Sequence, residues 1–303
     1  MKKYSSILIA LIIGAISFAT SCSDSDDNGN KEPNVNVGEG GGPSSSDVLT
    51  IPSGSDFMGD SIQQVRTFSL SANPVKKVIA STTQSGHIAV MGGYKDNSAV
   101  YVYAKVDDDS KLTDDEITAL LNKYYDIVSE VSGTEIKAIV TEKSIAHGSD
   151  YRKLRVSIKI FTPGDISTQL SIKYGSIFVD NVNGGEHVAT SESGSIKYLN
   201  SFGKNFTAHS ATGHVAFINT TASESINAKL SKGNIQFAVP SETKTSLDLK
   251  SLTNVTASVL NSSNFTGTNT RTVVKGDLNG GGYKTNAEIG TGSIVFRWYN
   301  NKY

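Results

Sequence analysis

The sequence predicts an all-β chain: a single-chain β-helix or β-solenoid with rungs of about 20 residues, preceded by a β-rich section with one α-helix. Three observations carry this expectation. A short Gly-x-Ile/Val phrase returns at a nearly fixed interval, apolar residues alternate with polar ones over short runs, and a single stretch combines a capping signal with helical spacing. Charged residues make up 19% of the 303, below the ~25% of an average soluble domain, and glycine stands at 28. That composition excludes collagen-like, coiled-coil, fully disordered and polytopic membrane chains. Lys+Arg 28 against Asp+Glu 29 leaves a net charge of -1, so no chain-wide basic field would draw nucleic acid. One cysteine excludes an internal disulfide and a cysteine-rich metal site.

That cysteine defines the N-terminal organisation. Lys2 and Lys3 precede an apolar run from Ile7 to Ala19. About 13 residues of helix span ~20 Å, too short for a ~30 Å hydrocarbon core, so the run reads as a signal-peptide h-region. Ala19-Thr20-Ser21-Cys22 is similar to a bacterial lipobox, although leucine is commoner where Ala19 stands. Residues 1–21 are thus expected to be a lipoprotein signal peptide and Cys22 the lipidation site. Ser23-Asp24-Ser25-Asp26-Asp27 resembles the acidic signal that sends some lipoproteins to the outer surface, and also suits a solvated tether. Residues 22–59 are rich in Gly, Ser, Asn, Pro and Asp and bury too little apolar surface to offset their ordering entropy. An outer-membrane address, lipid-anchored and facing the cell surface, follows as the expectation.

Residues 60–164 read as a β-rich section. Val100, Val102, Ala104 and Val106 alternate with Tyr101, Tyr103 and Lys105, and Leu154, Val156, Ile158 and Ile160 alternate with Arg155, Ser157 and Lys159. Between them Thr113-Asp114-Asp115-Glu116 has the form of a capping box. Ile117, Leu120, Leu121, Tyr124, Ile127, Val128 and Val131 follow at helical spacing, predicting a helix over about 113–131 with Gly133 as its stop.

Residues 165–303 carry the repeat. Its clear copies are Gly175-Ser176-Ile177, Gly194-Ser195-Ile196, Gly213-His214-Val215, Gly233-Asn234-Ile235 and Gly292-Ser293-Ile294. From glycine to glycine the intervals are 19, 19, 20 and 59. Ala189, Ala208, Ala228 and Ala287 stand five positions before four of these glycines, and an outlying copy, Gly86-His87-Ile88, lies in the first section. Since 59 is about three times 19.7, two further degenerate rungs are expected near Leu247–Val259 and Phe265–Val274. About seven rungs stacked ~4.8 Å apart would make a body roughly 34 Å long. Glycine suits a corner with no room for a Cβ.

These motifs, in this order, closely resemble a widespread bacterial putative-adhesin β-repeat domain of unknown function. In that family an opening Gly-x-Ile strand and Val-rich strands lead into serial Ser/Thr-Gly-x-Ile rungs and an Asn-Gly-Gly segment before a last Gly-Ser-Ile. Here those are Gly86–Val90 with Val100–Val106, the rungs at Gly175, Gly194, Gly213 and Gly233, and Asn279-Gly280-Gly281 before Gly292. The resemblance covers about Val65 to Tyr299; His214 and Asn234 depart from it, standing where small or acidic residues are usual. It implies no catalytic residues, because the family has none assigned.

The residues themselves point the same way. The histidines His87, His147, His187, His209 and His214 show no ligand spacing and read as solvated strand or turn positions, so no metal site is expected. No Gly-Ser-Ile phrase forms a Gly-x-Ser-x-Gly elbow, and the glycine pairs are not followed by Lys-Ser/Thr as in a phosphate loop. Neither an enzyme nor a cofactor is expected. Trp298 and its aromatic neighbours read as a cap over the last rung, or as a sugar-stacking platform. The outward slots Ser176, Ser195, His214, Asn234 and Ser293 would form one surface ladder, and Phe178, Lys197, Ala216, Gln236 and Val295 a second. Lys197, His214 and Gln236 are the candidate ligand contacts, suited to an extended glycan or peptide without metal. Three functional readings follow: a surface lipoprotein binding a glycan, host protein or envelope protein; an envelope structural or stress-sensing module; and a polysaccharide-acting β-solenoid enzyme.

Overall fold

The alternation read from the sequence folds into strands throughout. The computed structural model describes residues 61–70, 74–94, 97–107 and 111–299, all within the unit Leu49–Tyr303. The signal peptide, Cys22 and the 22–59 tether lie outside the described residues, as do Asp108, Asp109 and Tyr303. The first section contains β1 (Ser61–Ser69), β2 (Lys77–Met91), β3 (Asn97–Val106), α1 (Asp114–Tyr124), β4 (Tyr125–Ser132), β5 (Glu135–Glu142) and β6 (Leu154–Phe161). The long strands β7 (Ser167–Asp180), β8 (Glu186–Leu199), β9 (Phe202–Ile218) and β10 (Thr221–Val239) follow. The chain closes with β11 (Thr245–Ser251), β12 (Asn254–Thr256), β13 (Phe265–Asn269), β14 (Val273–Leu278) and β15 (Tyr283–Trp298). All belong to one open sheet, with the path β1-β3-β6-β2-β7-β8-β9-β10-β15-β11-β14-β13. The architecture is all-β with one helix.

Strands β2, β7, β8, β9, β10 and β15 pair in parallel with like residues opposite like. Gly86 faces Gly175, Gly194 faces Gly213, Gly213 faces Gly233, and Gly233 faces Gly292. Each glycine divides its strand into two arms. In β9 the inward residues Phe206, Ala208 and Ser210 before Gly213, and Val215 and Phe217 after it, are buried, so the inward parity switches at the glycine. The backbone there has φ of +132° at Gly213, and an added Cβ would stand 2.0 Å from the Gly194 carbonyl oxygen. Only glycine fits such a corner.

The inward positions form columns. Ile88, Ile177, Ile196, Val215, Ile235 and Ile294 are fully buried. Two residues on, Tyr198, Phe217 and Phe237 stack with ring centroids 5.4 Å apart, and Phe296 continues the column at 6.1 Å. Each such burial contributes on the order of 2 kcal/mol. Ala189, Ala208, Ala228 and Ala287 line a third buried column on the first arms, where their small size lets neighbouring large side chains meet. At the far end of the second arms Asn181, Asn200 and Asn219 adopt left-handed φ of 55°, 47° and 47°. Asn219 Nδ2 donates to Asn200 Oδ1 at 2.9 Å, so the turns are linked across strands.

Three expectations are corrected. First, Gly86 is not outlying: β2 pairs directly with β7, and Gly86 stands opposite Gly175. Second, the helix ends at Tyr124 instead of about 131. The Tyr125 backbone is extended, and Tyr125–Ser132 pairs antiparallel with Glu135–Glu142 across a turn in which Gly133 has φ +61°. Ile127, Val128 and Val131 favour that pairing because β-branched side chains suit a pleated surface better than a helix. Third, the long interval holds no rungs between Gly233 and Gly292, because these two glycines are direct neighbours. Instead β11 and β12 pair with the other side of β15, and β13 and β14 run antiparallel beyond them. The glycine column therefore has six members and a length of about 24 Å at the ordinary strand spacing.

Candidate functional site

The outward side chains of the second arms form one continuous face. Parity fixes which residues reach it: Ile196 and Tyr198 point inward, so Ser195, Lys197 and Leu199 point outward. Register then aligns them across strands. Ser195, His214, Asn234 and Ser293 are consecutive partners, and so are Lys197, Ala216, Gln236 and Val295. The second row continues in the other direction through Phe178, Ala89, Lys159 and Tyr101. Eight adjacent strands thus contribute one residue each.

Lys197, His214 and Gln236 come to the same face of three neighbouring strands, but each engages a different partner. His214 Nδ1 lies 3.5 Å from Asn234 Nδ2, and the Asn234 Oδ1 accepts from the Ser293 backbone N–H at 3.2 Å and from its Oγ at 2.7 Å. The Gln236 amide oxygen, oriented to satisfy both neighbours, accepts from Arg297 Nε and Nη2 at 2.9 and 2.7 Å. Lys197 Nζ lies 5.7 Å from the Phe178 ring centroid. Burial holds the Lys197 ammonium below its ordinary pKa, opposed by the nearby Asp180 carboxylate, whose own pKa burial raises. The second ladder is accordingly less open than the sequence suggested. Gln236 is 8% exposed and Ala216 fully buried, because a small side chain stands between longer neighbours that lie along the face.

Aromatic side chains extend this surface. Phe161 packs edge-on against Tyr94 at 4.6 Å and Tyr101 at 5.7 Å, with Lys159 Nζ 5.0 Å from its ring centroid. Phe161, Phe178, Leu199 and Ile218 are each half-buried, leaving apolar edges on this face.

Sequence reasoning missed one buried residue. His187, expected to be solvated, is fully buried, 3.2 Å from Thr168 Oγ1 by Nδ1 and stacked on Phe206 at 4.6 Å. Burial pushes its pKa down to about 4. The signal was available: His187 lies seven positions before Gly194, as Phe206 and Ile226 lie before their own glycines, and register places the three in one column. Elsewhere, His147 stacks on Tyr151 at 3.6 Å, and Tyr151 Oη donates to Glu142 Oε1 at 2.7 Å, which pins the segment between β5 and β6. Trp298 packs half-buried against the core opposite Val239, not over a terminal rung, because β11 and β12 lie beyond β15.

Among the described residues no group of three or more His, Cys, Asp or Glu side chains converges as a metal site would require. A recess of about 450 Å³ between β11 and β15 is lined by Lys250, Ser251, Leu252, Glu288 and Ile289. No helix among the described residues is long and apolar enough to cross a membrane.

No family model matches the chain. No curated protein matches it either. Solved structures resemble it loosely. One, a putative cell adhesion protein from Clostridium sporogenes, has 12% identity and TM-score 0.40, covering 78% of this chain and 98% of that one. A putative adhesin from Bacteroides fragilis gives 12% identity and TM-score 0.27 over 78% and 98%. A putative lipid binding protein from Parabacteroides distasonis gives 12% and 0.27 over 79% and 95%.

Proposed function

We propose that this chain is a non-enzymatic, lipid-anchored surface protein of adhesin type. Its strands, stacked glycine over glycine, act as a β-solenoid that presents the second-arm face to an extended ligand. The observation that carries this reading is the eight-strand row from Tyr101 to Val295, one residue per strand and mixed in polarity. Such a surface offers hydrogen bonds and modest apolar area along a line, which suits a glycan or peptide chain better than a compact substrate. Cys22 supplies the anchor and the 22–59 segment the tether, on the outer membrane and facing out.

Two measurements test the reading. Full-length protein in detergent is applied to an array of glycans and matrix proteins. Binding that survives EDTA and weakens in Lys197→Glu is expected. Binding abolished by EDTA, or release of shortened sugar products, rejects the metal-free, non-enzymatic reading. The anchor is tested by fractionation: Cys22→Ser is expected in the soluble fraction, and continued pelleting with membranes rejects lipidation.

A further inference from the structure

The two arms of the stack differ in how their charges are paired. On the first arms lysines and carboxylates are interspersed and pair, as Lys229 does with Glu288 at 3.6 Å. The second arms, with the segment of β6 that continues them, carry Lys159, Lys197 and Arg297 against the carboxylate of Asp180. Arg297 is already engaged, donating to the Gln236 amide oxygen from Nε and Nη2 at 2.9 and 2.7 Å. Lys159 and Lys197 are set differently: each ammonium lies beside an aromatic ring of the same face, Phe161 at 5.0 Å and Phe178 at 5.7 Å. Two aromatic–lysine pairs therefore sit on this face, with Lys159 and Lys197 three strands apart in one row, about 14 Å at the ordinary spacing; a third pair, Lys173 with Tyr174, lies on a first arm.

Resting on the binding role proposed above, we infer that the ligand of this face is an acidic polysaccharide, a uronate- or sulfate-bearing chain crossing the strands along the row that contains Lys159, Phe178 and Lys197. An aromatic ring offers stacking area to the apolar face of a sugar, and the ammonium beside it meets that sugar's anionic group. A neutral glycan would use the rings but would leave the ammonium groups beside them without a partner. An anionic membrane would be met by protruding apolar side chains, whereas Phe161, Phe178 and Leu199 are half-buried. Within a Debye length of about 8–10 Å a bound anion senses the local row rather than the whole chain, so the near-neutral net charge does not oppose the contact.

The test uses full-length Cys22→Ser protein, without its acyl group, in affinity electrophoresis through gels containing polygalacturonate, dextran sulfate or neutral dextran. Retardation by either polyanion, relieved by salt, is expected, with little by neutral dextran. Lys159→Gln/Lys197→Gln, which keeps most of each side-chain stem, is expected to weaken binding about tenfold, and Phe178→Ala by about threefold or more. Lys229→Ala on the first arm is expected to stay within about twofold, and all variants to keep the parent thermal midpoint. Equal retardation by dextran and polygalacturonate, unaffected by the lysine variants, overturns the acidic class while leaving glycan binding intact. Absence of retardation by all three overturns the acidic-polysaccharide inference, and the binding role then falls only if the array of glycans and matrix proteins is negative too. Loss of polyanion binding in Lys229→Ala equal to that in the double variant reduces the effect to bulk charge and overturns the face. Binding to phosphatidylglycerol vesicles that needs Lys159 and Lys197, with none to the polyanions, overturns it in favour of a lipid surface.

Discussion

A Cβ on Gly213 would stand 2.0 Å from the Gly194 carbonyl oxygen, and the neighbouring backbone has no flexible group that could yield. Gly213→Ala therefore combines the cost of an unfavourable φ with a backbone clash, and a loss of about 3 kcal/mol or more is expected. Gly133 is the control, since it also has positive φ, +61°, but nothing lies within 4 Å of its added Cβ. Gly133→Ala should cost only about 1 kcal/mol, the intrinsic cost of the left-handed region. Denaturant midpoints separate the two, and equal losses would mean that the stacked column is not close-packed. His187 gives a second residue-scale expectation. Its pKa falls from 6.5 to about 4 in the fold because burial disfavours the charged ring. As pH drops, the unfolded chain takes up the proton first, so the stability is full above pH about 6.5 and is lost progressively toward about 4. The amount is on the order of 3 kcal/mol. In His187→Phe, which matches the neighbouring Phe206 in the column, urea midpoints between pH 7.5 and 4.5 should shift less than in the parent. An identical pH shift in the variant would remove His187 as the source. Reading the column by its distance from each glycine, not by residue type, was what could have placed this histidine in advance.

At the scale of elements, what was legible depended on whether a local pattern had one physical solution. The capping box did: the Thr113 side chain accepts from the Glu116 backbone, and the Glu116 carboxylate accepts from the Thr113 backbone N–H at 2.7 Å, so the helix start could be read. Its end could not, because Tyr124, Ile127, Val128 and Val131 fit a helical stripe as well as a strand. The decision came from β5, which offers antiparallel pairing along the whole of 125–132 and is visible only in three dimensions. Similarly, the glycines announced the corner at one end of the second arms, while the asparagines six positions later went unremarked at the other. Asn181, Asn200 and Asn219 recur at the same interval as the glycines, and their left-handed φ is the conformation asparagine tolerates best after glycine. The candidate site divides the same way. Parity placed Lys197, His214 and Gln236 outward, but parity does not report that Arg297 would fold over Gln236.

At the scale of the whole molecule the decisive feature is the position of β15. This last strand does not extend the stack at its end; it enters between β10 and β11 and pairs in parallel with both. A repeat interval cannot reveal this, since the stretch from Gly233 to Gly292 divides into three rungs as readily as into an excursion that returns. The insertion makes the stretch from β11 to β14 dependent on residues 283–298. β10 has β9 as its other partner, but the parallel pairing of β11 and all pairing of β12 depend on β15. A chain stopped after Gly282 would therefore expose the inward row of β10, including Ile235 and Phe237, along an open edge, and would leave Leu247 and Leu249 of β11 without their core. Such an edge is a template for association. The truncated protein is expected to elute as aggregate in size-exclusion chromatography and to be cut rapidly between 240 and 282 in limited proteolysis, where the full chain resists. Aggregation follows from non-local parallel pairing, which forms late and leaves strands unpaired until the last partner arrives. A monodisperse truncated chain with the parent's thermal midpoint would mean that β11 stacks on β10 unaided, and that β15 is an addition to the stack and not the strand that closes it.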